Sequence, residues 1–178
     1  IFSKNQIEVQ YKDDPVLEKG LFNKESTPIE AVNSIKKYVS FAEQNTSGDI
    51  ILPTSGGYDS RILNWAIKDK TRIRSFTYGI SKNQSKSTEV VYAKKISKIL
   101  GTKWKQIELS HYNDYINDWH RIFGFSTHLH GMYHIEFYKN ISSKCNFNND
   151  VTLLSGIFGD VWVGNIDRFN IFSAHDIY

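Results

Sequence analysis

The chain has a single cysteine, Cys145, among its 178 residues. One thiol cannot form an internal disulfide, a CxxC redox pair or a thiolate zinc cluster, so these three kinds of site are excluded within one chain. No apolar run approaches the roughly 20 residues that cross a bilayer. The N-terminus has no basic stretch followed by an apolar one, as a secretion signal would. We therefore expect a protein of the reducing cytoplasm that does not enter a membrane.

The remaining composition is typical of one globular domain. Apolar residues make up 40% of the chain and charged residues 23%, and the length is sufficient for a core. The formal net charge of +3 conceals an uneven distribution, because residues 61–105 hold twelve Lys and Arg against two Asp and Glu. Such a basic block suits either solvated helix faces or contact with a polyanion. Solvated faces are the simpler interpretation.

Short β-rich runs alternate with longer runs of helical period, which is the pattern of successive βα units. Strands are predicted at residues 50–54, 73–78, 104–109 and 151–154, and helices at 28–44, 59–70, 88–100, 112–122 and 132–143. Thr27, Pro28 and Glu30 form the start signal of the first helix, and Gly101 is an end signal. Residues 1–27 are expected to be a lead-in segment or a linker from an upstream domain, with one short strand in 1–11.

Strands that alternate with helices pair in parallel, because a parallel connection needs a long crossover. We therefore expect an α/β fold of three layers, α/β/α, with a mainly parallel sheet, over residues 28–178. Ligands of such sheets bind at the carboxyl ends of the strands. Any chemistry is thus expected just after residues 54, 78, 109 and 154.

A glycine-rich hexapeptide, Ser55-Gly56-Gly57-Tyr58-Asp59-Ser60, follows the first buried strand of this pattern. Two glycines allow a tight turn and the close approach of a ligand, while hydroxyls and N–H groups at a helix N-terminus suit an anion. Asp59 would either cap the helix or hold a divalent cation. A Gly-Gly turn is common, and the Walker lysine and the third glycine of the dinucleotide fingerprint are absent. The shape by itself leaves phosphate binding open.

The hexapeptide resembles the SGGxDS pyrophosphate loop of the N-type ATP pyrophosphatases, or PP-loop proteins, which adenylate a substrate with ATP. A second segment, Leu154-Ser155-Gly156-Ile157-Phe158-Gly159-Asp160 with Gly164 after it, is similar to the SGxxGDxxxG segment of the asparagine synthetase branch. Between them, Phe76-Thr77-Tyr78-Gly79 resembles the end of that family's second strand. The resemblance extends from residue 30 to residue 165 and implies a fold like that of the adenine nucleotide alpha hydrolases.

The resemblance implies a role for each matching position. Pyrophosphate and adenine of ATP would be bound by Pro53, Ser55, Gly56, Gly57, Asp59, Ser60, Tyr78 and Gly156. Asp59 and Asp160 would be the catalytic acids and would hold Mg²⁺, an ion that prefers hard oxygen ligands. The activity implied is that of an asparagine synthase-like carbon–nitrogen ligase, which adenylates a carboxylate, releases pyrophosphate and transfers a nitrogen donor. With Tyr58 and Arg61, the loop of this chain resembles that of asparagine synthetase-like proteins encoded for bacterial surface glycans. The resemblance therefore also suggests a role in surface glycan biosynthesis.

Some positions depart from the family pattern. Ile157 and Val161 stand where asparagine synthetases carry acids, so an aspartate substrate is not implied and a sugar acid is an alternative. Only Arg168 follows where the family has a catalytic Lys. Cys145 cannot be the N-terminal nucleophile of a glutaminase, so a glutaminase domain would lie upstream in a longer parent. We expect a piece of such a parent, truncated at its C-terminus and of little activity alone.

Three histidines, His128, His130 and His134, precede the fourth buried strand. They make an incomplete zinc site, because His128 and His130 lie on opposite faces of any strand. In the family this stretch borders the substrate pocket, so a substrate contact by His128 or His130 is a second interpretation, and ordinary packing or capping is a third.

Two other functions stay open. The basic block would suit a PP-loop enzyme that modifies tRNA, although the paired cysteines of the thiolating members are missing and nucleic acid is not the expected partner. The departures at Ile157 and Val161 would suit a noncatalytic nucleotide-binding relative.

Overall fold

The computed structural model describes residues 27–124, 131–147 and 150–156, together with the backbone of residues 2–3 and 6–7. The chain divides into two compact units, Ile1–Ser34 and Ile35–Tyr178. In the first unit, strands β1 (Phe2–Ser3) and β2 (Gln6–Ile7) pair in the antiparallel sense. The sequence predicted one short strand there, because its period-two signal begins only at Ile7. The expected domain boundary after residue 27 stays a prediction.

The second unit contains the α/β elements. The helices are α1 (Pro28–Gln44), which begins in the first unit, α2 (Tyr58–Ala66), α3 (Thr88–Leu100), α4 (Ile116–Phe123) and α5 (Met132–Lys144). The strands are β3 (Ile50–Pro53), β4 (Ile73–Thr77), β5 (Lys103–Gln106) and β6 (Thr152–Leu153). Short 3₁₀ helices lie at Lys70–Arg72, Gln84–Lys86 and Tyr112–Tyr115. None of the helices in the described part of the chain is long and apolar enough to cross a membrane.

The sheet has the order β5-β4-β3-β6, and every pair of neighbours is parallel. In the central register, Ile50 of β3 pairs with Ile73 of β4 and with Thr152 of β6. The predicted parallel sheet is therefore confirmed. Strand β3 lies in the interior of the sheet, with the chain continuing to β4 and β5 on one side of it and to β6 on the other.

Helices cover both faces of this sheet. Successive side chains of a strand point to opposite faces. Ile50 and Leu52 of β3 are fully buried in a cluster that includes residues of α1 and α2. Ile51, between them, packs against a second cluster that contains Phe137 and Ile141 of α5. The arrangement is the predicted α/β/α order of three layers.

Helix α1 begins with the predicted capping box. The Glu30 carboxylate accepts a hydrogen bond from the Thr27 N–H at 2.8 Å, and the Glu30 N–H donates to the Thr27 hydroxyl at 3.3 Å. The predicted bounds of α1 and α3 are confirmed, and Gly101 caps α3 in the left-handed conformation, at φ 69°.

Helix α2 ends at Ala66, before the end predicted at residue 70. The reason is a contact from another helix. The carboxylate of Glu43, on α1, accepts hydrogen bonds from the N–H groups of Lys68 and Asp69, both at 3.0 Å. These N–H groups are then no longer available to continue the helix, and Asp69 caps the 3₁₀ helix that follows.

The predicted strand 104–109 was too long at its carboxyl end. Strand β5 stops at Gln106, and the N–H of Leu109 donates to the side-chain oxygen of Gln84 at 2.9 Å rather than to a neighbouring strand. The predicted helix 112–122 is divided into the 3₁₀ helix Tyr112–Tyr115 and α4. The predicted strand 151–154 is reduced to the two residues of β6.

Candidate active site

A cleft of about 340 Å³ opens at the carboxyl ends of β3, β4 and β6. In an open parallel sheet, such a crevice is expected where the chain continues from a central strand to neighbours on its two opposite sides. Strand β3 is such a strand, since β4 lies on one side of it and β6 on the other. The lining residues are Pro53, Thr54, Ser55, Gly57, Asp59, Ser60, Phe76, Thr77, Tyr78, Ile80, Glu89, His134, Phe137, Tyr138, Ser155 and Gly156. The cleft therefore lies at three of the four places predicted for chemistry, after residues 54, 78 and 154, and no residue of the loop after residue 109 lines it.

The turn at residues 55–57, called here the glycine turn, starts from a fixed point on the sheet. The N–H of Thr54 donates to the Phe76 carbonyl at 2.8 Å, so the backbone stays bonded to β4 just past the end of β3. The Thr54 hydroxyl, which is buried, donates to the Leu52 carbonyl at 3.1 Å. The chain therefore leaves the sheet in a defined direction.

Two serine side chains shape the glycine turn from within. The hydroxyl of Ser60 accepts the Ser55 N–H at 3.2 Å, and the hydroxyl of Ser55 accepts the Gly57 N–H at 3.1 Å. Ser60 is buried, so its hydroxyl positions the turn rather than projecting from it. Gly57 is the N-cap residue of α2, and no side chain caps that end. The first N–H groups of a helix lack partners inside the helix, so this end suits an anion.

The loop after β6, residues 154–156, meets the glycine turn and the start of α2. A Cβ atom added at Gly156 would lie 2.9 Å from the Cβ of Asp59 and 3.0 Å from the backbone nitrogen of Ser60. Only a glycine allows so close an approach of the two loops. The structure thus brings together two segments that the sequence showed almost a hundred residues apart, and Asp59 lies where they touch.

The opposite wall of the cleft is aromatic. The ring of Tyr78 contacts the ring of Phe137 at 4.9 Å between centroids and that of His134 at 5.9 Å. Burial raises the pKa of Tyr78, and the neighbouring Tyr133 raises it further, so its phenol is neutral at physiological pH. Burial also raises the pKa of Tyr138. Such a wall suits a flat, uncharged ring and an apolar contact.

The described ionisable groups that line the cleft, besides its tyrosines, are Asp59, Glu89 and His134. Sequence reasoning did not assign His134 or Glu89 to the site. Glu89 is exposed in the first turn of α3, a position near the carboxyl end of β4, and this position is the signal that could have indicated it. His134 reaches the cleft because α5 returns to this edge of the sheet, which local sequence does not reveal.

The outcome differs among the predicted site residues. Pro53, Ser55, Gly57, Asp59, Ser60, Tyr78 and Gly156 line the cleft, and Gly56 lies beside it in the glycine turn. Asp160, His128 and His130 lie outside the described residues. Within the described ranges, no group of three or more His, Cys, Asp or Glu side chains could hold a metal ion.

No protein family model matches the chain, and no curated protein is matched by its sequence. Among solved structures, the chain is similar to an NH3-dependent NAD synthetase from Campylobacter jejuni subsp. jejuni NCTC 11168, which was solved in complex with the nitrate ion. The sequence identity is 14% and the TM-score is 0.43. The aligned region covers 66% of this chain and 53% of that chain, so this chain spans about half the length of that structure.

Proposed function

We propose that this domain binds ATP in the cleft and adenylates a substrate carboxylate, which a nitrogen donor then converts to an amide. The observation that supports the proposal most strongly is the contact of Gly156 with Asp59 and Ser60. Two Ser-Gly segments that resemble the PP-loop pattern come together at one edge of a parallel sheet, around the N-terminus of α2.

The cleft has two chemically different ends, as a nucleotide requires. At one end, the glycine turn and the start of α2 offer N–H groups and hydroxyls to phosphate oxygens. At the other, the neutral phenol of Tyr78 and the ring of Phe137 offer an apolar surface to adenine. We therefore assign pyrophosphate to Ser55, Gly56 and Gly57, with Ser60 holding the turn in place through its buried hydroxyl, and adenine to the region of Pro53 and Tyr78.

The described residues of the cleft fit Mg²⁺ because their ligand atoms near the glycine turn are oxygens, chiefly the carboxylate of Asp59. Asp59 would hold the ion together with Asp160, the partner that the resemblance implies. When bound, Mg²⁺ would neutralise charge on the phosphate oxygens. The aspartates are catalytic in this sense, because they fix the position of the triphosphate.

The proposed reaction has two steps. A carboxylate oxygen of the substrate attacks the α-phosphorus, and the bond to the bridging oxygen breaks, so that pyrophosphate leaves with the electron pair. Ammonia or an amine then attacks the acyl carbon and loses a proton to solvent, while AMP leaves with the electrons of the C–O bond. The protein contributes position and charge compensation to both steps. A glutaminase domain upstream in a parent chain would be a source of ammonia.

Binding of Mg-ATP to the Asp59→Ala variant tests the assignment. We expect affinity to fall by about tenfold or more, since even second-shell changes cost metal sites 10–100-fold. Asp114→Asn is the matched control, because Asp114 is an exposed carboxylate outside the cleft, and it should bind as the wild type does. Unchanged affinity in Asp59→Ala would show that the site is wrongly assigned.

Pyrophosphate release separates the ligase from a noncatalytic relative. The protein is incubated with Mg-ATP and a panel of carboxylates, and pyrophosphate is measured with and without ammonium. Release that depends on one carboxylate supports the ligase. Tight ATP binding with no release for any carboxylate would favour a nucleotide-binding domain without catalysis.

A further inference from the structure

A second groove, of about 450 Å³, adjoins the cleft and is called here the side groove. Its lining residues are Ser55, Gly56, Gly57, Tyr58, Arg61, Thr88, Glu89 and Tyr92. Ser55, Gly57 and Glu89 line both cavities. A molecule in the side groove would therefore contact the same glycine turn that borders the cleft.

Arg61 is the cation of the side groove. Its Nη2 donates to the Gly56 carbonyl at 3.0 Å, which holds the guanidinium against the glycine turn. Its Nε is buried and has no hydrogen-bond partner among the described residues. None of the described carboxylates forms a salt bridge with the Arg61 side chain. A guanidinium has five N–H donors. The described part of the chain thus leaves most of this donor capacity unused.

Neighbouring arginines are used differently. The guanidinium of Arg72 donates to the backbone carbonyls of Glu43, Thr46 and Gly48, and that of Arg74 pairs with Asp49 at 3.0 Å. These two cations hold loops of the fold together. Arg61 differs from them because it lies in a cavity with one carbonyl as its only described acceptor. Its remaining donors suit an anionic ligand, and carboxylates match the guanidinium geometry.

Two tyrosines border the same arginine. The side chain of Tyr58 is 75% exposed and that of Tyr92 is 49% exposed. The Arg61 Cζ lies 4.9 Å from the centroid of the Tyr58 ring, so the guanidinium lies over the face of this ring. Exposed aromatic faces next to a hydroxyl group, here that of Thr88, suit a ring that carries its own hydroxyls.

We propose that the side groove binds the acceptor substrate, and that this substrate is a sugar acid. Arg61 pairs with its carboxylate, Tyr58 and Tyr92 contact its ring, and Glu89 accepts a hydrogen bond from a ring hydroxyl. The inference rests on the proposed function, since Ser55, Gly57 and Glu89, which line the side groove, also line the cleft proposed for ATP. It adds to that function the class of the acceptor and the residues that select it.

The test measures binding of D-glucuronate by calorimetry, with and without saturating Mg²⁺ and α,β-methylene-ATP. This ATP analogue cannot release pyrophosphate, so it cannot adenylate the ligand. D-Glucose lacks the carboxylate and benzoate lacks the hydroxyls. We expect glucuronate to bind at least about tenfold more tightly than glucose, because a hydrogen bond to a charged group contributes roughly 1.5–3 kcal/mol. It should also bind more tightly than benzoate, which has no hydroxyl to donate to Glu89. Equal binding of benzoate would overturn the sugar-acid assignment, and absence of glucuronate binding would overturn the inference.

Variants locate the site. Arg61→Gln should weaken glucuronate binding about tenfold or more and leave the affinity for the ATP analogue within about twofold. Arg61→Lys keeps the charge without the two-pronged geometry, so it should restore only part of the loss. Arg121→Gln is the control, because Arg121 is 77% exposed and pairs with Asp118 on α4.

Tyr58→Ala tests the side groove independently, in case Arg61→Gln disturbs the fold or the glycine turn. Its side chain is exposed, so the fold should persist while glucuronate affinity falls several-fold. Parallel loss of analogue and glucuronate binding in Arg61→Gln, with Tyr58→Ala unaffected, would assign Arg61 to the nucleotide and overturn the inference. If the wild type does not bind the ATP analogue, the proposed function is refuted. The titration of glucuronate without nucleotide tests the side groove separately, so the two failures can be told apart.

Discussion

Gly156 is the residue at which the two loops of the candidate site touch. Its missing side chain allows the backbone of Asp59 to lie within about 3.0 Å of the Cβ position. We expect Gly156→Ala to push the loop after β6 away from α2, since backbone atoms cannot yield as a flexible side chain can. Overpacking of this kind costs about 1–3 kcal/mol of unfolding free energy, and Mg-ATP affinity should fall with it. Urea unfolding and calorimetric titration measure the two effects.

Gly57→Ala is the matched control for stability. A Cβ there would meet only the Ser55 hydroxyl, at 3.2 Å, which can rotate. Its φ is −74°, which alanine adopts without strain. We expect a stability change of about 0.5 kcal/mol or less, as for ordinary surface substitutions. If Gly156→Ala is as stable as Gly57→Ala, the two loops are not in the described contact.

Tyr78 gives the fold a pH dependence at alkaline pH. Burial raises the pKa of its phenol above the ordinary 10.0, so the folded chain keeps this proton when the unfolded chain has lost it. The stabilisation is fully present below pH 10 and is lost as pH rises toward the folded-state pKa, because the folded state then binds more protons than the unfolded state. We expect Tyr78→Phe to reduce this alkaline loss of stability, measured by urea unfolding between pH 8 and pH 11.

Tyr138→Phe provides an internal comparison, because burial raises the pKa of Tyr138 in the same direction. It should also flatten the alkaline decline, and the double variant should flatten it further. If the free energy of unfolding of Tyr78→Phe falls with pH as steeply as that of the wild type, the phenol is not buried against Tyr133 and Phe137 as described.

At the scale of elements, the interior of each α-helix and of each strand in the parallel sheet could be predicted, whereas some of the ends could not. Local periodicity indicated α1 and α3 because their apolar residues recur at helical spacing and their caps are encoded nearby. The end of α2 depends on Glu43, and the end of β5 depends on Gln84. Both residues act from about 25 positions away in the chain, so no local pattern contains the information.

Gly101 is a helix cap that local sequence did predict, and its substitution tests the cost of the left-handed backbone at this position. It has φ 69° and ψ 30°, and a Cβ there would have nothing within 4 Å. The cost of Gly101→Ala is therefore purely conformational, and we expect about 1–2 kcal/mol from the left-handed backbone. Gly101→Asn should cost less, because asparagine adopts this region more readily. Equal losses in the two variants, measured by urea unfolding, would point to a contact rather than to the backbone.

At the scale of the whole molecule, the candidate site could be predicted in part. The order of strands and the rule for parallel sheets placed the glycine turn at a ligand-binding edge. The return of α5, which brings His134 and Phe137 against Tyr78, depends on packing between distant segments. The side groove depends on packing as well, since Tyr92 comes from α3 and Arg61 from α2. The motifs therefore predicted where the cleft lies, whereas the side chains that form the cavity walls could not be predicted from the sequence.

The basic block is also a property of the whole molecule, because its charges serve different purposes. Among its twelve Lys and Arg, those at 61, 70, 72 and 74 donate hydrogen bonds to backbone carbonyls or to Asp49. The others lie exposed on several elements, for example Lys94 on α3 and Lys103 on β5. Phosphate backbones are bound by cations that follow a continuous path. This distribution suits solvated surfaces better than a nucleic-acid platform.

We therefore expect bulk tRNA to be retained weakly or not at all, even at low ionic strength. A protein that makes 6–10 phosphate contacts loses roughly 10³–10⁵ in affinity between 50 and 200 mM salt, so a salt titration is a sensitive assay. The double variant Lys103→Ala, Lys105→Ala removes two exposed charges of the edge strand β5, and it should elute as the wild type does. Firm retention at 50 mM salt that falls steeply by 200 mM and is weakened in this variant would instead support the tRNA-modifying alternative, because the exposed lysines would then act together on one polyanion.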